Sequence, residues 1–150
     1  MNIIKIITRE GKSEAISLIG ETFDEFDASY YTRQGADKFH AFFRDEKNFE
    51  DCEFFGAFEE DNDELLGVIV TKDNRRHIVA FFVRGRHHKK GIGKALFGYV
   101  VSSRKGNRTI TVNAAPYATE IYHRLGFTDT DAMKEDGGLK YTPMKYEIKD

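Results

Sequence analysis

The segment HHKKGIGKAL, residues 87–96, combines side chains and a spacing that could bind an anion. Its lysines and histidines supply positive charge, and Gly91 and Gly93 leave the backbone accessible. A strand-like apolar run that ends at Val83 precedes the segment, and a helical pattern starts at Ile92. A strand, a glycine loop and a helix in this order point free N–H groups at one spot, where a phosphate is favoured. The segment could therefore bind a phosphate, hold a metal or form a solvated turn.

Two common phosphate motifs do not fit this segment. A Walker A loop would need Gly in place of His88 and Ser or Thr in place of Ala95. A dinucleotide loop would need Gly in place of Leu96, within a βαβ unit. A metal is disfavoured because His87 and His88 point apart in an extended chain, and no Cys or carboxylate lies at ligand spacing. We predict no metal site, and on its own the segment fits a different phosphate loop or an ordinary turn.

The elements that would position this segment follow from hydrophobic periodicity and turn residues. Helices are predicted over residues 12–27, 36–47, 92–104 and 117–125, and the apolar face of the first contains Ala15, Ile19, Phe23 and Phe26. Strands are predicted over residues 3–7, 53–59, 65–71, 77–83, 108–113, 127–131 and 141–148. Hairpins with one β-α-β crossover predict an α+β fold rather than a doubly wound sheet, in a single domain over residues 1–150.

Composition limits the classes of function. The 150 residues include 23 basic and 25 acidic side chains, so no general positive field favours nucleic acid or an anionic membrane. The single cysteine, Cys52, cannot form an intramolecular disulfide, and the amino terminus has no signal-peptide pattern. We therefore expect a cytoplasmic protein that binds neither nucleic acid nor membrane, in which any basic site is local.

Two segments together resemble the signatures of the GNAT N-acetyltransferase superfamily. VRGRHHKKGIGKAL, residues 83–96, resembles its acetyl-CoA loop, [RQ]-x-x-G-x-[GA], with His88 where Arg or Gln is usual. NAAPYATEIYHRLGF, residues 113–127, resembles its second signature, a strand-end Asn followed by A-x-x-x-Y-x-x-x-G-F. The resemblance covers most of the chain. It implies a mostly antiparallel twisted sheet of six to seven strands, splayed at the cofactor site, with about four helices.

The resemblance also implies a site for acetyl-CoA as a cosubstrate, with no metal. The pantetheine arm would enter between the splayed strands, where a main-chain N–H could polarise the thioester carbonyl. The diphosphate would lie on the amides of the loop, and Asn113 would bond the pantetheine amides, unless it only forms a turn. The implied cofactor-binding residues are Phe82, Val83, His88, Lys89, Lys90, Gly91, Ile92, Gly93, Lys94, Asn113 and Tyr122.

Tyr122 is the general acid that the resemblance implies. A thiolate leaves in the reaction, and a thiol of this kind has a pKa of ~8.5, whereas a tyrosine at ~10 is neutral at pH 7 and can donate its proton. Tyr122 lies one helical turn after Ala118, so the two share a face on which the small Ala leaves room. By pattern alone, Tyr122 also fits a core tyrosine of an amphipathic helix.

His77 is the catalytic base that the resemblance implies. An alkylamine of pKa ~10.4 is about one part in a thousand neutral near physiological pH, so some group or water chain must help to remove its proton. His77 begins the central strand, where several GNAT branches carry a Glu or His base, and a pKa of ~6.5 suits that role. A histidine at the end of a hairpin in water is the alternative.

Residues 20–35 are where GNAT folds build acceptor specificity. A cationic amine could be bound there by Glu21, Asp24, Glu25, Asp27, Tyr30 and Tyr31, although a solvated helix face explains the same charges. The expected partner is a small-molecule amine or a protein amine, and a homodimer stays open. Two other functions stay open: a non-catalytic acyl-CoA-binding sensor, which would not need Tyr122, and a nucleic-acid-binding protein with RGRHHKK as its patch.

Overall fold

The computed structural model describes residues 1–88, 90–104 and 106–149. Within them, the strands are β1 (Asn2–Ile6), β2 (Glu53–Phe58), β3 (Leu65–Lys72), β4 (His77–Val83), β5 (Thr109–Ala114), β6 (Thr128–Asp129), β7 (Lys134–Asp136) and β8 (Leu139–Glu147). The α-helices are α1 (Arg9–Thr22), α2 (Arg33–Arg44), α3 (Ile92–Ser103) and α4 (Thr119–Leu125). None of these described helices is long and apolar enough to cross a membrane.

The strands form one sheet in the order β1-β2-β3-β4-β5-β8-β6, and β7 pairs with β8 outside that path. Among the described residues only β4 and β5 pair in parallel, and the other pairings are antiparallel. The predicted α+β fold with a mostly antiparallel sheet is confirmed. Strand β7 is additional, because the residues assigned to a turn pair with the start of β8 around Gly137 and Gly138, both at positive φ.

Helix α1 differs from its prediction at both ends. It begins at Arg9 rather than at residue 12, because the Thr8 hydroxyl accepts a hydrogen bond from the Gly11 N–H at 3.0 Å and caps the helix. Its α-helical part ends at Thr22, and a π-helical turn, Phe23–Asp27, continues it. A π turn is wider than an α turn, so it turns Phe26 away from the buried face that Phe23 and Asp27 share.

Helices cover both faces of the sheet, so the molecule has two apolar clusters. Leu96 of α3 and Tyr122 of α4 belong to the cluster on one face. Ile19 of α1 and Phe43 of α2 belong to the cluster on the other. Seven of the eight residues of β3 are buried, because this strand lies between the two clusters.

Strand β4 contains a bulge near its start. Val70 of β3 pairs with Ala80, but the next residue, Thr71, pairs with Ile78. Val79 therefore has no residue opposite it on β3. An extra residue of this kind bends a strand and increases its twist.

The bulge coincides with an opening in the sheet. Strands β4 and β5 pair only at His77 with Thr111 and at Ile78 with Val112. Beyond these residues β4 continues to Val83 along β3 alone. The splay expected between β4 and β5 is confirmed, and we call the space between them the opening.

Candidate active site

The edge of β4 that faces the opening presents unpaired backbone groups. The Arg84 N–H donates to the Leu66 carbonyl at 2.9 Å, and the bonds of an antiparallel ladder recur at every second residue. Phe82 therefore pairs with β3, whereas the N–H and C=O groups of Phe81 and Val83 point into the opening. Phe82 and Val83 were the two strand residues predicted to bind a cofactor through the backbone. The backbone groups of Val83 face the opening, as do those of Phe81, whereas those of Phe82 point toward β3.

The first turn of α3 has N–H groups without intrahelical acceptors. Gly91 precedes the helix with a φ of 80°, a left-handed conformation that glycine adopts without strain. The first bond of the helix runs from the Ala95 N–H to the Gly91 carbonyl at 3.0 Å, which leaves the N–H groups of Ile92, Gly93 and Lys94. The positive end of the helix dipole lies at the same place, so this turn favours an anion.

Gly93 connects this helix turn to the open edge of β4. A Cβ atom on Gly93 would lie 3.5 Å from Cζ of Phe81 and 3.8 Å from Cγ2 of Val83, which are ordinary contact distances. The start of α3 therefore lies directly against the two residues whose backbone faces the opening. The helix turn and the strand edge form two walls of one recess.

The His88 side chain closes the end of this recess. Its Nε2 lies 2.6 Å from the Val83 carbonyl oxygen, and since a carbonyl only accepts, Nε2 carries the proton. Its ring lies 4.7 Å from the ring of Phe26, in the π turn after α1. His88 thus occupies a backbone acceptor that a strand-like ligand would otherwise use, and it links the loop to the segment after α1.

Tyr122 lies beside the opening and is buried. Its ring centroid is 6.1 Å from that of Phe81 and 5.2 Å from that of Phe127. Burial, and secondarily the charge of Asp27, raise the pKa of Tyr122 well above its usual range. Within the described residues its hydroxyl has no hydrogen-bond partner, so it is a neutral phenol that can donate to a group entering the opening.

His77 lies at the other end of β4, where the two strands still pair. Its Nδ1 is 2.8 Å from the Thr111 hydroxyl, which donates in turn to the Arg76 carbonyl at 3.4 Å. In this arrangement Nδ1 carries the proton and Nε2 is free to accept one. Burial, with a contribution from the charge of Lys72, lowers the pKa of His77, so the imidazole is neutral near pH 7.

His77 shares an open polar pocket with Asn113. The pocket has a volume of about 590 Å³ and is lined by Lys72, Asp73, Asn74, Arg76, His77, Thr111 and Asn113. Asn113 is exposed and follows the last residue of β5 that pairs with β4. Neither Val83 nor Gly93 nor Tyr122 lines this pocket, so the structure separates His77 and Asn113 from the recess at the far end of β4.

Asp27, at the end of the π turn, is a buried acid. Only 4% of its surface is exposed, and no described residue forms a hydrogen bond or ion pair with its carboxyl group. Burial raises its pKa from 3.8 to about 7. After the effect of burial, its charge also raises the pKa of Tyr31, Tyr117 and Tyr122.

The sequence matches the family model described as the acetyltransferase (GNAT) domain over residues 27–148. That span covers most of the chain, including the opening, the start of α3 and Tyr122. This chain belongs to the GNAT acetyltransferase family. A comparison with curated proteins found no significant match.

Solved structures of GNAT proteins have the same fold as this GNAT chain. A GCN5-related N-acetyltransferase from Rhodopseudomonas palustris has a TM-score of 0.78 at 16% identity, over 98% of this chain and 95% of that one. The PaiA N-acetyltransferase from Thermoplasma acidophilum, in complex with coenzyme A, has a TM-score of 0.69 at 20% identity, over 99% and 100% of the two chains. An aminoglycoside 6'-N-acetyltransferase complexed with coenzyme A has a TM-score of 0.67 at 16% identity, over 100% and 98%.

The residues proposed from sequence for this GNAT site divide into two groups. The recess brings together Val83, His88, Gly91, Ile92, Gly93, Lys94 and Tyr122, while Lys90 is exposed beside it and Lys89 lies outside the described residues. His77 and Asn113 form the second group, at the polar pocket. In the described part of the chain, no group of three or more His, Cys, Asp or Glu side chains could hold a metal ion.

Sequence reasoning missed two features of the site. The direction of the Phe81 backbone groups depends on the bulge at Val79. Pairing with β3 produces this bulge, and no local sequence pattern indicates it. Asp27 was named only as one of several acids. Its signal was spacing, because it follows Phe23 by four residues, as Phe23 follows the buried Ile19.

Proposed function

We propose that this chain transfers the acetyl group of acetyl-CoA to a primary amine by direct attack. The carrying observation is the recess, in which the free N–H groups of α3 lie against the open edge of β4. Membership of the GNAT family supports this function, and so do the two similar structures that are complexed with coenzyme A. Those structures support the cosubstrate but not the acceptor.

The residues of the recess fit the parts of acetyl-CoA. The diphosphate would lie on the N–H groups of the 88–94 loop and first turn of α3, because these donors and the helix dipole favour an anion. The pantetheine amides would pair with Phe81 and Val83 as an added strand pairs with a sheet edge, and Asn113 could bond them from β5. His88 would first have to release the Val83 carbonyl.

Tyr122 is the proposed acid for the departing thiolate. The amine nitrogen bonds to the acetyl carbon, the C–S bond then breaks, and its electron pair stays on sulfur. The phenol donates a proton to that sulfur and recovers one from the nitrogen of the new amide. A positioned acid of this kind contributes roughly 10²- to 10⁴-fold to a rate.

The amine must also lose a proton before it attacks. Holding an alkylamine neutral near physiological pH costs about 4 kcal/mol, so a base would help substantially. His77 is one candidate, because its free Nε2 faces an open pocket at the point where the strands separate. Asp27 is a second candidate, and it differs from His77 in acting electrostatically on Tyr122.

A thiol-release assay with acetyl-CoA and pooled primary amines tests the proposed function. We expect thiol release that depends on an amine, with an acetylated amine of the matching mass as product. Binding of coenzyme A without release in the presence of any amine would instead indicate the non-catalytic acyl-CoA sensor. A parallel titration with duplex DNA covers the nucleic-acid alternative, for which we expect no binding.

A further inference from the structure

Asp27 differs from the other acids of its segment in being buried without a described partner. Glu21 pairs with Arg84 at 3.1 Å, and Asp24 pairs with His40 at 2.7 Å, and both acids are exposed. Asp27 is buried and lacks a described partner. A buried carboxylate without a counter-charge is costly unless a cation joins it, and no described residue supplies that cation.

Aromatic rings pack against the π turn that contains Asp27. The ring of Phe26 stacks on that of Tyr117 at 5.5 Å, and Tyr30 lies 6.1 Å from Tyr117. Tyr30 is 48% exposed, so the ring cluster reaches solvent on one side. Ring faces attract organic cations, whose apolar carbon chains they also contact.

The turn that contains Asp27 also contacts the recess. The ring of Phe26 lies 4.7 Å from that of His88, whose Nε2 lies 2.6 Å from the Val83 carbonyl oxygen. After the effect of burial, the charge of Asp27 also raises the pKa of Tyr122. The pocket of His77 contains neither His88 nor Tyr122. An amine bound at this turn would therefore lie beside the recess, whereas one bound at His77 would not.

We propose that Asp27, rather than His77, receives the ammonium group of the acceptor and takes one of its protons, and that the acceptor is an alkylamine whose chain lies against Phe26, Tyr30 and Tyr117. This inference rests on the proposed function for its catalytic part. The recognition of an alkylammonium ion does not depend on turnover and can be tested separately.

The proton inventory of this step balances. The ammonium transfers one proton to the Asp27 carboxylate, which becomes a neutral acid, and the free amine bonds to the acetyl carbon. When the C–S bond breaks, Tyr122 protonates the sulfur and recovers a proton from the amide nitrogen. Asp27 returns its proton to solvent when the product leaves, so one proton is released per turnover.

Neutralising Asp27 also prepares Tyr122 for its role. The negative charge of Asp27 helps to raise the pKa of Tyr122, so the ionised carboxyl makes the phenol a weaker acid. Once Asp27 has taken the proton, this effect is gone and the phenol donates more readily. A carboxyl with a pKa of about 7 is well matched to accept a proton near neutrality.

The kinetic test compares Asp27→Asn with Asp37→Asn, at an exposed acid of α2 that serves as a matched control. With 1-aminobutane and saturating acetyl-CoA at pH 7, we expect Asp27→Asn to lower kcat/KM by at least about 100-fold. Asp37→Asn should change it less than about threefold. Equal effects of the two variants would overturn the proposal.

The pH profile separates Asp27 from His77. In the wild-type chain kcat/KM should rise through an apparent pKa near 7, because the carboxyl must be ionised. The raised pKa values of Tyr31, Tyr117 and Tyr122 keep these phenols neutral in this range. His88→Ala is measured as well, because the ring of His88 contacts that of Phe26. This rise of kcat/KM with pH should be absent in Asp27→Asn and present in His77→Gln and His88→Ala. Its loss in His77→Gln alone would assign the base to His77 and overturn the proposal.

A binding measurement keeps the inference testable if no acetylation is found. Calorimetry with 1-aminobutane and the coenzyme A complex should show an affinity that falls at least about tenfold in Asp27→Asn and stays unchanged in Asp37→Asn. Such binding without turnover would reject the proposed function and retain the ammonium site. Turnover that is unchanged in Asp27→Asn would support the proposed function and reject the ammonium site at Asp27. Failure of the wild-type chain to bind a series of alkylamines would overturn the acceptor class.

Discussion

The two regions that meet at the opening are built on different principles. The region from Val83 to Lys94 works through main-chain groups: a strand edge without a neighbour and a helix turn with free N–H groups. The region from Phe23 to Tyr31 works through a side chain, the carboxyl group of Asp27, whose pKa burial raises to about 7. The first offers its polar groups at little cost, because helix ends and strand edges leave them unpaired in any protein. The second carries the cost of burying an ionised carboxyl group, which either a proton or a cationic ligand relieves.

The largest effect expected in this comparison comes from a side chain placed among the main-chain donors. Gly93→Asp puts bulk and negative charge against Phe81 and Val83, so coenzyme A affinity should fall by at least about 100-fold by calorimetry. Gly98→Asp, the same change at an exposed glycine of α3, should leave affinity intact. Lys90→Ala should cost about 1 kcal/mol or less. A larger loss in Lys90→Ala than in Gly93→Asp would mean that lysine charge, not the main chain, holds the diphosphate.

The second effect concerns the acid between the two regions. Tyr122→Phe removes one hydroxyl and keeps the ring, so kcat should fall by about 10²-fold while coenzyme A affinity changes little. Tyr99→Phe, on the half-buried face of α3, provides the matched loss of a hydroxyl. Unchanged kcat would identify Tyr122 as a core residue. Parallel losses of affinity and turnover would mean that its hydroxyl positions the cofactor.

The third effect tests the claim that Asp27 stores unfavourable burial. Its pKa of about 7 in the folded chain lies above the ordinary 3.8, so the folded state holds the proton more tightly than the unfolded state. This stabilisation is complete below pH ~4 and is lost as pH rises toward ~7, by up to about 4 kcal/mol. Urea unfolding at pH 4 and pH 8 should show Asp27→Asn gaining stability over the wild-type chain only at the higher pH. A stability difference between Asp27→Asn and the wild-type chain that is the same at both pH values would show that the carboxyl group is not desolvated.

The smallest effect concerns the contact between the two regions. His88→Ala frees the Val83 carbonyl for a ligand, so coenzyme A affinity should rise by up to about fivefold, in line with one hydrogen bond. His87→Ala is the neighbouring control, because Nε2 of His87 lies 3.3 Å from Oε1 of Glu64 rather than at the Val83 carbonyl. Weaker binding in His88→Ala would mean that the imidazole contacts the cofactor itself, as Arg or Gln would at that position.

The two regions also differ in how far the sequence predicted them. Gly91 and Gly93, with the strand before them and the helix after them, indicate a phosphate-binding turn locally, and the A-x-x-x-Y-x-x-x-G-F motif identified Tyr122. Such features depend on backbone conformation over a few residues, which the residue types specify.

The features that escaped prediction depend on contacts that no short pattern contains. The bulge at Val79 depends on how β4 aligns with β3, so the direction of the Phe81 and Phe82 backbone groups could not be seen in advance. The i, i+4 spacing from Ile19 and Phe23 places Asp27 on their face, but whether other elements cover that face at residue 27 depends on tertiary packing. The sequence analysis therefore left Asp27 among acids that a solvated helix face also explains. Hairpins and periodicity were sufficient for the fold, but not for the chemical state of one carboxyl group.

The short pairing of β4 with β5 has a mechanical meaning. Among the described residues, two residue pairs join β1–β4 to β5 and β8 along the sheet, so backbone pairing connects these two halves of the sheet only weakly. The apolar cluster under α3 also joins the halves, because it contains Phe55 and Ile69 from one and Ile110 and Met144 from the other. A ligand bound in the opening would contact both halves and would therefore resist their separation.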